Sequence, residues 1–267
     1  MSTSTTTADT ASPGPVIDAQ SGRSWLLFWG AAVTAILLLP IFFAQVFWAH
    51  LLITPWYLPI GGTLAALIAI YALGRPRRWW RVGVVLFCVA LACFEWFFVL
   101  AGTVLPQYTG PIAEGSSLPT FHATLADGTE IDETYFRSRP MTALVFFQGS
   151  WCPFCMTQLK ELENHSEEFR RLGAEVAVVS IEDVGMAAET KRDFPSLIVI
   201  SDERRELSNG IELINPGFGP DGGDSAAPTI LLVDDTGTVR WLHRPTRFIA
   251  RPSATELAAT IERLRAK

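Results

Sequence analysis

Residues 141–155 read MTALVFFQGSWCPFC, and this stretch decides the fold of the C-terminal half of the chain. Its first part, Met141 to Phe147, is strongly apolar and favours a buried strand. Its second part places Cys152 and Cys155 at the start of a helix-like sequence. Cysteines with this spacing at a helix start have Cα atoms about 5.5 Å apart, which lies within the range that a disulfide tolerates. The pattern therefore predicts a cysteine pair that can open and close without moving the backbone.

The position of Cys152 predicts a reactive sulfur. A thiol at a helix start lies beside unpaired backbone N–H groups and the positive end of the helix dipole, which lower its pKa towards neutrality. Because the thiolate is the reactive form, we expect nucleophilic redox chemistry from Cys152, with Cys155 as its partner. Zinc binding and an inert structural disulfide are the alternative interpretations. Zinc needs a second pair of ligands at similar spacing, which the sequence lacks, so we predict no metal site. So short a loop also stabilises little as a structural disulfide.

Hydropathy divides the 267 residues into two dissimilar parts. Trp25–Val46 and Val82–Leu105 are apolar over the roughly 20 residues that a bilayer-spanning helix needs, and Leu51–Leu73 is nearly so. Pro55 and Pro59 disturb the first turns of the middle segment. We expect three transmembrane helices, with the bilayer as their partner and with most of the tryptophans of this half near the membrane interfaces.

Charge predicts the orientation of these helices. Cytoplasmic loops are enriched in basic residues, and the short loop between the second and third predicted spans carries four arginines, Arg75, Arg77, Arg78 and Arg81. This loop and the N-terminus would be cytoplasmic, and three crossings would place the C-terminal half outside the cytoplasm, where disulfides persist. The predicted organisation is a disordered cytoplasmic tail over residues 1–23, a transmembrane region over 24–106, a linker over 107–118 and a globular domain over 119–267.

The C-terminal domain has the pattern of an α/β fold. Strand and helix patterns alternate along it, starting with a hairpin around Asp127-Gly128 and ending with a helix opened by the capping box Ser253–Glu256. This order predicts a central mixed sheet with helices on both faces. Residues 1–110 contain five basic and three acidic residues, which leaves 16 basic and 24 acidic residues and a net charge of −8 for the remainder. An acidic domain gives no electrostatic footprint for nucleic acid.

The motifs of this half resemble those of a known family. They are Leu118-Pro119-x-Phe121, the segment Phe146–Cys155, Gln158-Leu159-x-x-Leu162, and Ala227-Pro228-Thr229 ahead of Val233–Gly237. In these motifs the domain resembles thioredoxin-fold redoxins, the group that includes alkyl hydroperoxide reductase, the thiol-specific antioxidant proteins and membrane-tethered thioredoxin-like proteins of bacteria. The resemblance covers Leu118 to Leu264 and implies a thioredoxin-like fold, whereas no comparable resemblance covers the predicted spans. Together with those spans, it indicates a protein of the bacterial inner (plasma) membrane.

The resemblance also implies the roles of several residues. Cys152 and Cys155 would form the redox-active disulfide, with no other cofactor, and Pro228 would be a cis-proline facing them. Trp151 and Pro153 would support the site, Trp151 by packing over it. The alternative roles are an ordinary trans proline at Pro228 and a core aromatic at Trp151.

Two reactions fit this pattern, and both require an electron donor that the sequence does not identify. In thiol-disulfide exchange, which we expect first, Cys152 attacks a disulfide of a protein substrate and Cys155 resolves the mixed disulfide. In peroxide reduction, a cysteine thiolate attacks a peroxide oxygen and becomes a sulfenic acid. Peroxiredoxins show Pro-x-x-x-Thr-x-x-Cys, and this chain departs from it in both registers. Gln148 and Cys152 occupy the proline and threonine places when Cys155 is the last residue, and Val145 and Gly149 occupy them when Cys152 is the last residue. Either cysteine could therefore attack the peroxide.

Peroxide reduction would also use an arginine near the sulfur, and Arg247 and Arg251 are the candidates, with solvated surface arginines as the alternative. A non-catalytic, membrane-tethered binding module is the hypothesis from another class of function. Cys88 and Cys93 are five residues apart on a predicted helix and point about 140° apart, so we expect them to be packing residues.

Overall fold

A computed structural model describes residues 19–73, 79–137 and 139–266. These residues divide into two compact units. The first contains the residues up to Leu38 together with Tyr57–Glu95, and the second contains Leu39–Trp56 and the residues from Trp96 onwards. The predicted tail over residues 1–23 lies almost entirely outside the described residues, as do three of the four loop arginines.

The first unit is helical. Its elements are the N-terminal part of α1 (Ala19–Phe47), α2 (Tyr57–Tyr71) and most of α3 (Trp79–Phe97). The helices meet through small side chains, because the buried residues at their contacts are largely alanines, and these allow close approach of the backbones. Cys88 is buried in one of these contacts, which is the packing role predicted for it, whereas Cys93 is exposed.

The prediction of three transmembrane helices is wrong, because only two described helices are long and apolar enough to cross a membrane. They are Ser24–Phe47 and Trp79–Gly102, each of 24 residues, with mean hydropathies of 2.4 and 2.5. The α2 helix has 15 residues and rises about 22 Å at 1.5 Å per residue, short of the roughly 30 Å hydrocarbon core. It begins only at Tyr57 because Pro55 interrupts the preceding segment. The prediction that the C-terminal half lies outside the cytoplasm depended on three crossings, so it no longer has this support.

The second unit contains the predicted mixed sheet flanked by helices, which is confirmed. Its seven-stranded sheet has the order β2-β1-β5-β4-β3-β8-β9, with β3, β4 and β5 parallel and β1, β8 and β9 antiparallel to their neighbours. The strands are β1 His122–Leu125, β2 Glu130–Asp132, β3 Met141–Phe146, β4 Ala174–Ser180, β5 Ile198–Ser201, β6 Ile214–Asn215, β7 Ser225–Ala226, β8 Thr229–Val233 and β9 Val239–His243. The helices are α4 Pro153–Asn164, α5 Ser166–Arg171, α6 Val184–Asp193, α7 Glu206–Gly210 and α8 Ala254–Arg265.

Alternate residues of the central strands build two cores, one on each face of the sheet. Ala143 and Val145 of β3 belong to the core that contains the buried faces of α4 and α8, whereas Leu144 and Phe146 belong to the other core, under α7. This alternation follows from the two-residue period of side chains along a strand. The site cysteines lie in the first of the two cores.

Three local features differ from the predicted pattern or refine it. The residue pattern after the cysteines favours one continuous helix from Phe154 to Leu172, but the structure breaks it at His165. The ring nitrogen Nδ1 of His165 lies 2.8 Å from the Glu161 carbonyl oxygen and competes with the continuing helix. The glycine-rich segment 215–225 is closed by a two-stranded pairing of β6 with β7. The capping box that opens α8 is confirmed, since Ser253 Oγ accepts from Glu256 N and the Glu256 side chain accepts from Ser253 N.

Candidate functional site

The two cysteines lie where β3 leads into α4. Cys152 is the N-cap of α4 in an extended conformation, and Pro153 occupies the first turn, where its missing N–H costs no hydrogen bond. Cys155 lies one turn into the helix. The side chains are almost completely buried, with 2% of Cys152 and none of Cys155 exposed. Both are free thiols, so the structure shows the reduced pair.

The loop before the cysteines is held by a carboxylate that sequence reasoning missed. Glu182, two residues after β4, accepts hydrogen bonds from the backbone N of Ser150 at 2.9 and 3.0 Å and from its hydroxyl at 2.8 Å. Gly149 adopts a φ of +148° in this loop, and a Cβ there would lie 2.5 Å from Nε1 of Trp151. Trp151 therefore covers the glycine and is itself 43% exposed. Its predicted role at the sulfurs stays a prediction.

Gln148 supplies the acceptor that the two thiols share. Its side-chain oxygen lies 3.2 Å from the sulfur of Cys152 and 4.0 Å from that of Cys155. The amide is buried, so the contact is shielded from competing water. In the sequence, Gln148 stood out only as the residue at the proline place of the peroxiredoxin motif, with no indication that it bonds a thiol.

Of the two candidate arginines, Arg251 reaches the sulfurs. It is 8% exposed, and Nη2 lies 3.6 Å from the sulfur of Cys155. Nη1 donates to the side-chain oxygen of Gln158 at 2.7 Å, and Nε donates to the carbonyl of Phe248 at 2.8 Å. The backbone N of Arg251 donates to the carbonyl of Leu52 at 2.8 Å. These contacts fix the guanidinium against Cys155.

Arg247 is directed elsewhere. Its guanidinium donates to the carbonyl of Val99 and to Thr103 Oγ1, both in the segment that follows α3, and lies over the ring of Trp56. The same stretch of chain pairs with this segment through Leu105 N to Thr246 O at 2.9 Å. The structure thus gives Arg247 a packing role within the second unit.

The surroundings move the pKa values of the two thiols in opposite directions. Burial raises the pKa of Cys155, but the hydrogen bond from the Cys152 thiol and the charge of Arg251 outweigh it and lower the value to about 6. The hydrogen bond to Cys155 and burial raise the pKa of Cys152. The arrangement therefore favours a thiolate at Cys155 beside a protonated Cys152, whereas the sequence favoured ionisation of Cys152.

Aromatic rings pack on Phe154, the second of the two residues between the cysteines. The ring of Phe154 lies 5.6 Å from that of Phe248 and 6.4 Å from that of Phe42, measured between centroids. Phe42 belongs to the C-terminal part of α1, which forms part of the second unit. The residues from α1 and from the loop before α8 therefore shield the helix start from water on this side.

Pro228 is buried directly before β8. The next residue, Thr229, pairs with Phe146 at the end of β3, which places Pro228 beside the loop that leads to the cysteines. Its predicted cis peptide bond stays a prediction. Among the described residues, no group of three or more His, Cys, Asp or Glu side chains is placed to hold a metal ion.

Comparisons with known proteins find a matching family model and peroxiredoxin relatives. Residues 115–242, a little under half of the chain, match the model of the AhpC/TSA family. A peroxiredoxin from Methanococcus maripaludis is 26% identical over 137 residues, which cover 47% of this chain and 60% of the relative. Chloroplastic peroxiredoxin Q from Oryza sativa subsp. japonica is 28% identical over 99 residues, which cover 37% of this chain and 45% of the relative. The chain thus spans about half the length of these relatives.

Solved structures show the same fold. Reduced Prx3 from Vibrio vulnificus in complex with hydrogen peroxide superposes with a TM-score of 0.52 at 17% identity, over 57% of this chain and 99% of that one. A cysteine-to-serine mutant of peroxiredoxin 6 from Arenicola marina gives 0.52 at 18% identity, over 58% and 74% of the two chains. The predicted thioredoxin-like fold is confirmed, and these neighbours establish the fold alone.

Proposed function

We propose that the protein is a membrane-anchored thiol peroxidase in which Cys155 attacks the peroxide and Cys152 resolves the product. The contact between the buried Arg251 guanidinium and the Cys155 sulfur carries this assignment. A cation held at one sulfur stabilises the thiolate before attack and the negative charge that develops on the peroxide oxygens during attack. The match to the AhpC/TSA family and the peroxiredoxin relatives support the same chemistry.

The reaction runs in two steps on these two sulfurs. The Cys155 thiolate attacks the terminal peroxide oxygen, the O–O bond breaks, and Cys155 becomes a sulfenic acid while the leaving oxygen takes the proton of the Cys152 thiol. The resulting Cys152 thiolate attacks the sulfenic sulfur, a disulfide forms, and the hydroxide that leaves takes up the proton that Cys155 released to the solvent when it ionised, which gives water. An external thiol donor returns two electrons and two protons to restore the dithiol.

Gln148 and Gln158 position the reacting groups. Gln148 accepts from the Cys152 thiol and so holds the proton source beside Cys155. Gln158 fixes Arg251 through a neutral amide and leaves the positive charge of the arginine available to the sulfur. The side-chain nitrogen of Gln158 is buried without a partner among the described residues, and it is available to bind the oxygen that Cys155 acquires.

Two single-cysteine variants of the full chain in detergent test the proposal. With Cys152→Ser, we expect one rapid turnover of hydrogen peroxide per chain and a sulfenic acid on Cys155 that dimedone traps. With Cys155→Ser, we expect no rapid consumption and no trapped product. A rapid turnover in Cys155→Ser with the sulfenic acid on Cys152 would contradict the assignment of the attacking sulfur.

Disulfide exchange is the second candidate, and the position of Cys152 as the N-cap of α4 favours it. The wild-type chain is assayed with hydrogen peroxide and with insulin as a disulfide substrate. Rapid insulin reduction together with slow peroxide consumption would favour exchange and reject peroxidase activity.

Membrane anchoring is part of the proposal and rests on the two helices long and apolar enough to span a bilayer. Many of their large apolar side chains are exposed, among them Leu37, Ile41, Phe87 and Phe94, and a lipid phase would cover them. We expect the full chain to stay with the membrane fraction after alkaline carbonate washing. Recovery in the soluble fraction would refute anchoring and leave the thiol chemistry untouched.

A further inference from the structure

A cavity of about 600 Å³ has Arg251 in its lining and lies within the second unit. This volume is typical of sites for small organic ligands. It is lined by the loop that follows α1, the end of β9 with the segment after it, and one face of α8. Its lining includes Leu52, Ile53, Trp241, Arg244, Ala259 and Arg263.

The charge of the lining is positive, although residues 111–267 carry an excess of acidic side chains. Three arginines line the cavity against one carboxylate, Glu256, and this carboxylate is taken up by the capping box of α8. His243 also lines it, and burial lowers the pKa of this ring, so that it is neutral at pH 7. The lining of this cavity therefore keeps a net positive charge, although the domain as a whole is acidic.

Two of the three arginines are available to a ligand. Arg251 turns its guanidinium inwards to Gln158 and Cys155. Arg244 donates only a long bond of 3.3 Å to Thr229 Oγ1, and its Nε is buried without a partner among the described residues. Arg263 bonds to two oxygens of its own helix. Within the described chain, Arg244 and Arg263 form no ion pair, so the half-buried Arg244 and the exposed Arg263 can both bind an anion.

The apolar part of the lining comes from the loop that follows α1, a helix long and apolar enough to cross a membrane. Leu52 and Ile53 lie in the segment between α1 and α2, and Trp48, Leu51 and Trp56 of this segment are exposed. Exposed tryptophans next to a membrane-spanning helix are typical of the headgroup level of a bilayer. The cavity therefore combines donors for an anion with an apolar wall at the level of lipid headgroups.

We propose that this cavity binds the headgroup of an acidic phospholipid, with the phosphate on Arg244 and Arg263 and the upper acyl chain along Leu52 and Ile53. Arginine suits this ligand because its planar fork donates two bonds to a phosphate. The lipid would cover the outer side of the segment that carries Arg251. The inference rests on the membrane anchoring proposed above and is independent of which sulfur attacks.

Titration of delipidated full chain in detergent with phosphatidylglycerol or phosphatidylcholine, followed by native mass spectrometry, tests the site. We expect preferential binding of phosphatidylglycerol, and a dissociation constant about tenfold higher for Arg263→Gln, as loss of a charged hydrogen bond implies. Arg244→Gln should weaken binding at least as much. Arg171→Gln removes an exposed arginine of α5 and should leave binding unchanged. If Arg244→Gln does not fold, the exposed Arg263 still decides the test.

A matched pair of alanines separates the cavity from general surface effects. Ala259 is exposed and lines the cavity, so Ala259→Trp should fill it and abolish the preference for phosphatidylglycerol. Ala113 is also exposed but does not line the cavity, so Ala113→Trp adds the same ring elsewhere and should have no effect. Equal binding of the two lipids, equal loss in the control variants, or competition by inorganic phosphate at the concentration of the lipid would overturn the proposal. A chain that keeps its membrane association but shows no lipid preference refutes only the lipid site.

Discussion

Replacing Arg251 by glutamine removes the cation that contacts Cys155 and so tests what sets the reactivity of this thiol. Nη2 lies 3.6 Å from the sulfur, and opposite unit charges at about 4 Å interact by about 4 kcal/mol at an effective dielectric constant of about 20. This corresponds to about 3 pKa units as an upper bound. Glutamine can still donate a neutral hydrogen bond and water can enter the space, so we expect the pKa of Cys155 to rise by about 1 to 2 units.

The measurement is the pH dependence of alkylation of Cys155 by iodoacetamide, followed by mass spectrometry. Cys152→Ser, Cys88→Ala and Cys93→Ala provide a background in which only one sulfur reacts. The thiolate forms as pH rises, so reactivity in the arginine-containing protein should increase with its midpoint below the ordinary thiol range. In the intact pair the pKa is about 6. The midpoint of Arg251→Gln should lie about 1 to 2 units higher than that of the same background with arginine.

Arg247→Gln is the matched control, since its guanidinium bonds to Val99 and Thr103 and makes no described contact with a sulfur. Its midpoint should equal that of the parent. If Arg251→Gln leaves the midpoint where it was, or if Arg247→Gln moves it equally, the electrostatic account of the site is refuted.

Two further predictions concern the loop before the cysteines. Glu182→Gln weakens the charge-assisted bonds to Ser150 and should lower the free energy of unfolding by about 2 kcal/mol, measured by denaturant titration, while Glu189→Gln on the exposed face of α6 should change it little. Gly149→Ala forces a side chain into a backbone with φ +148° and against Trp151. It should lower the free energy of unfolding by about 1 to 3 kcal/mol and broaden the fluorescence spectrum of the indole. An unchanged melting temperature would contradict this prediction.

The sequence predicted the features that depend on neighbouring residues. The apolar run before Gln148 forms the central strand β3, the pair Cys152 and Cys155 lies at the start of α4, and the capping box opens α8. In each case the signal is local, because strand patterning, cap chemistry and the spacing of two cysteines are complete within a few residues.

What the sequence did not decide depends on tertiary contacts. Arg247 and Arg251 stand four residues apart with similar surroundings in the sequence, yet only Arg251 meets Cys155, a residue 96 positions earlier. The helix-dipole argument favoured ionisation of Cys152 because it could not include this cation. Glu182 follows a different strand and reaches Ser150 only once the parallel sheet has formed. Three apolar segments predict three spans because hydropathy measures composition, whereas Pro55 fixes where α2 can begin and leaves it 15 residues long.

The carbonyl of Leu52 and the ring of Phe42, both outside the redoxin region itself, support residues next to the sulfurs. An excised soluble fragment starting at residue 107 would keep every atom of the dithiol but lose the acceptor for the Arg251 backbone and the packing of Phe154. Kinetics measured on such a fragment would then describe a looser, wetter centre than the one the intact protein carries. The segment that carries Phe42 and Leu52 is in this sense a component of the candidate site, and removing it would alter the quantity being measured.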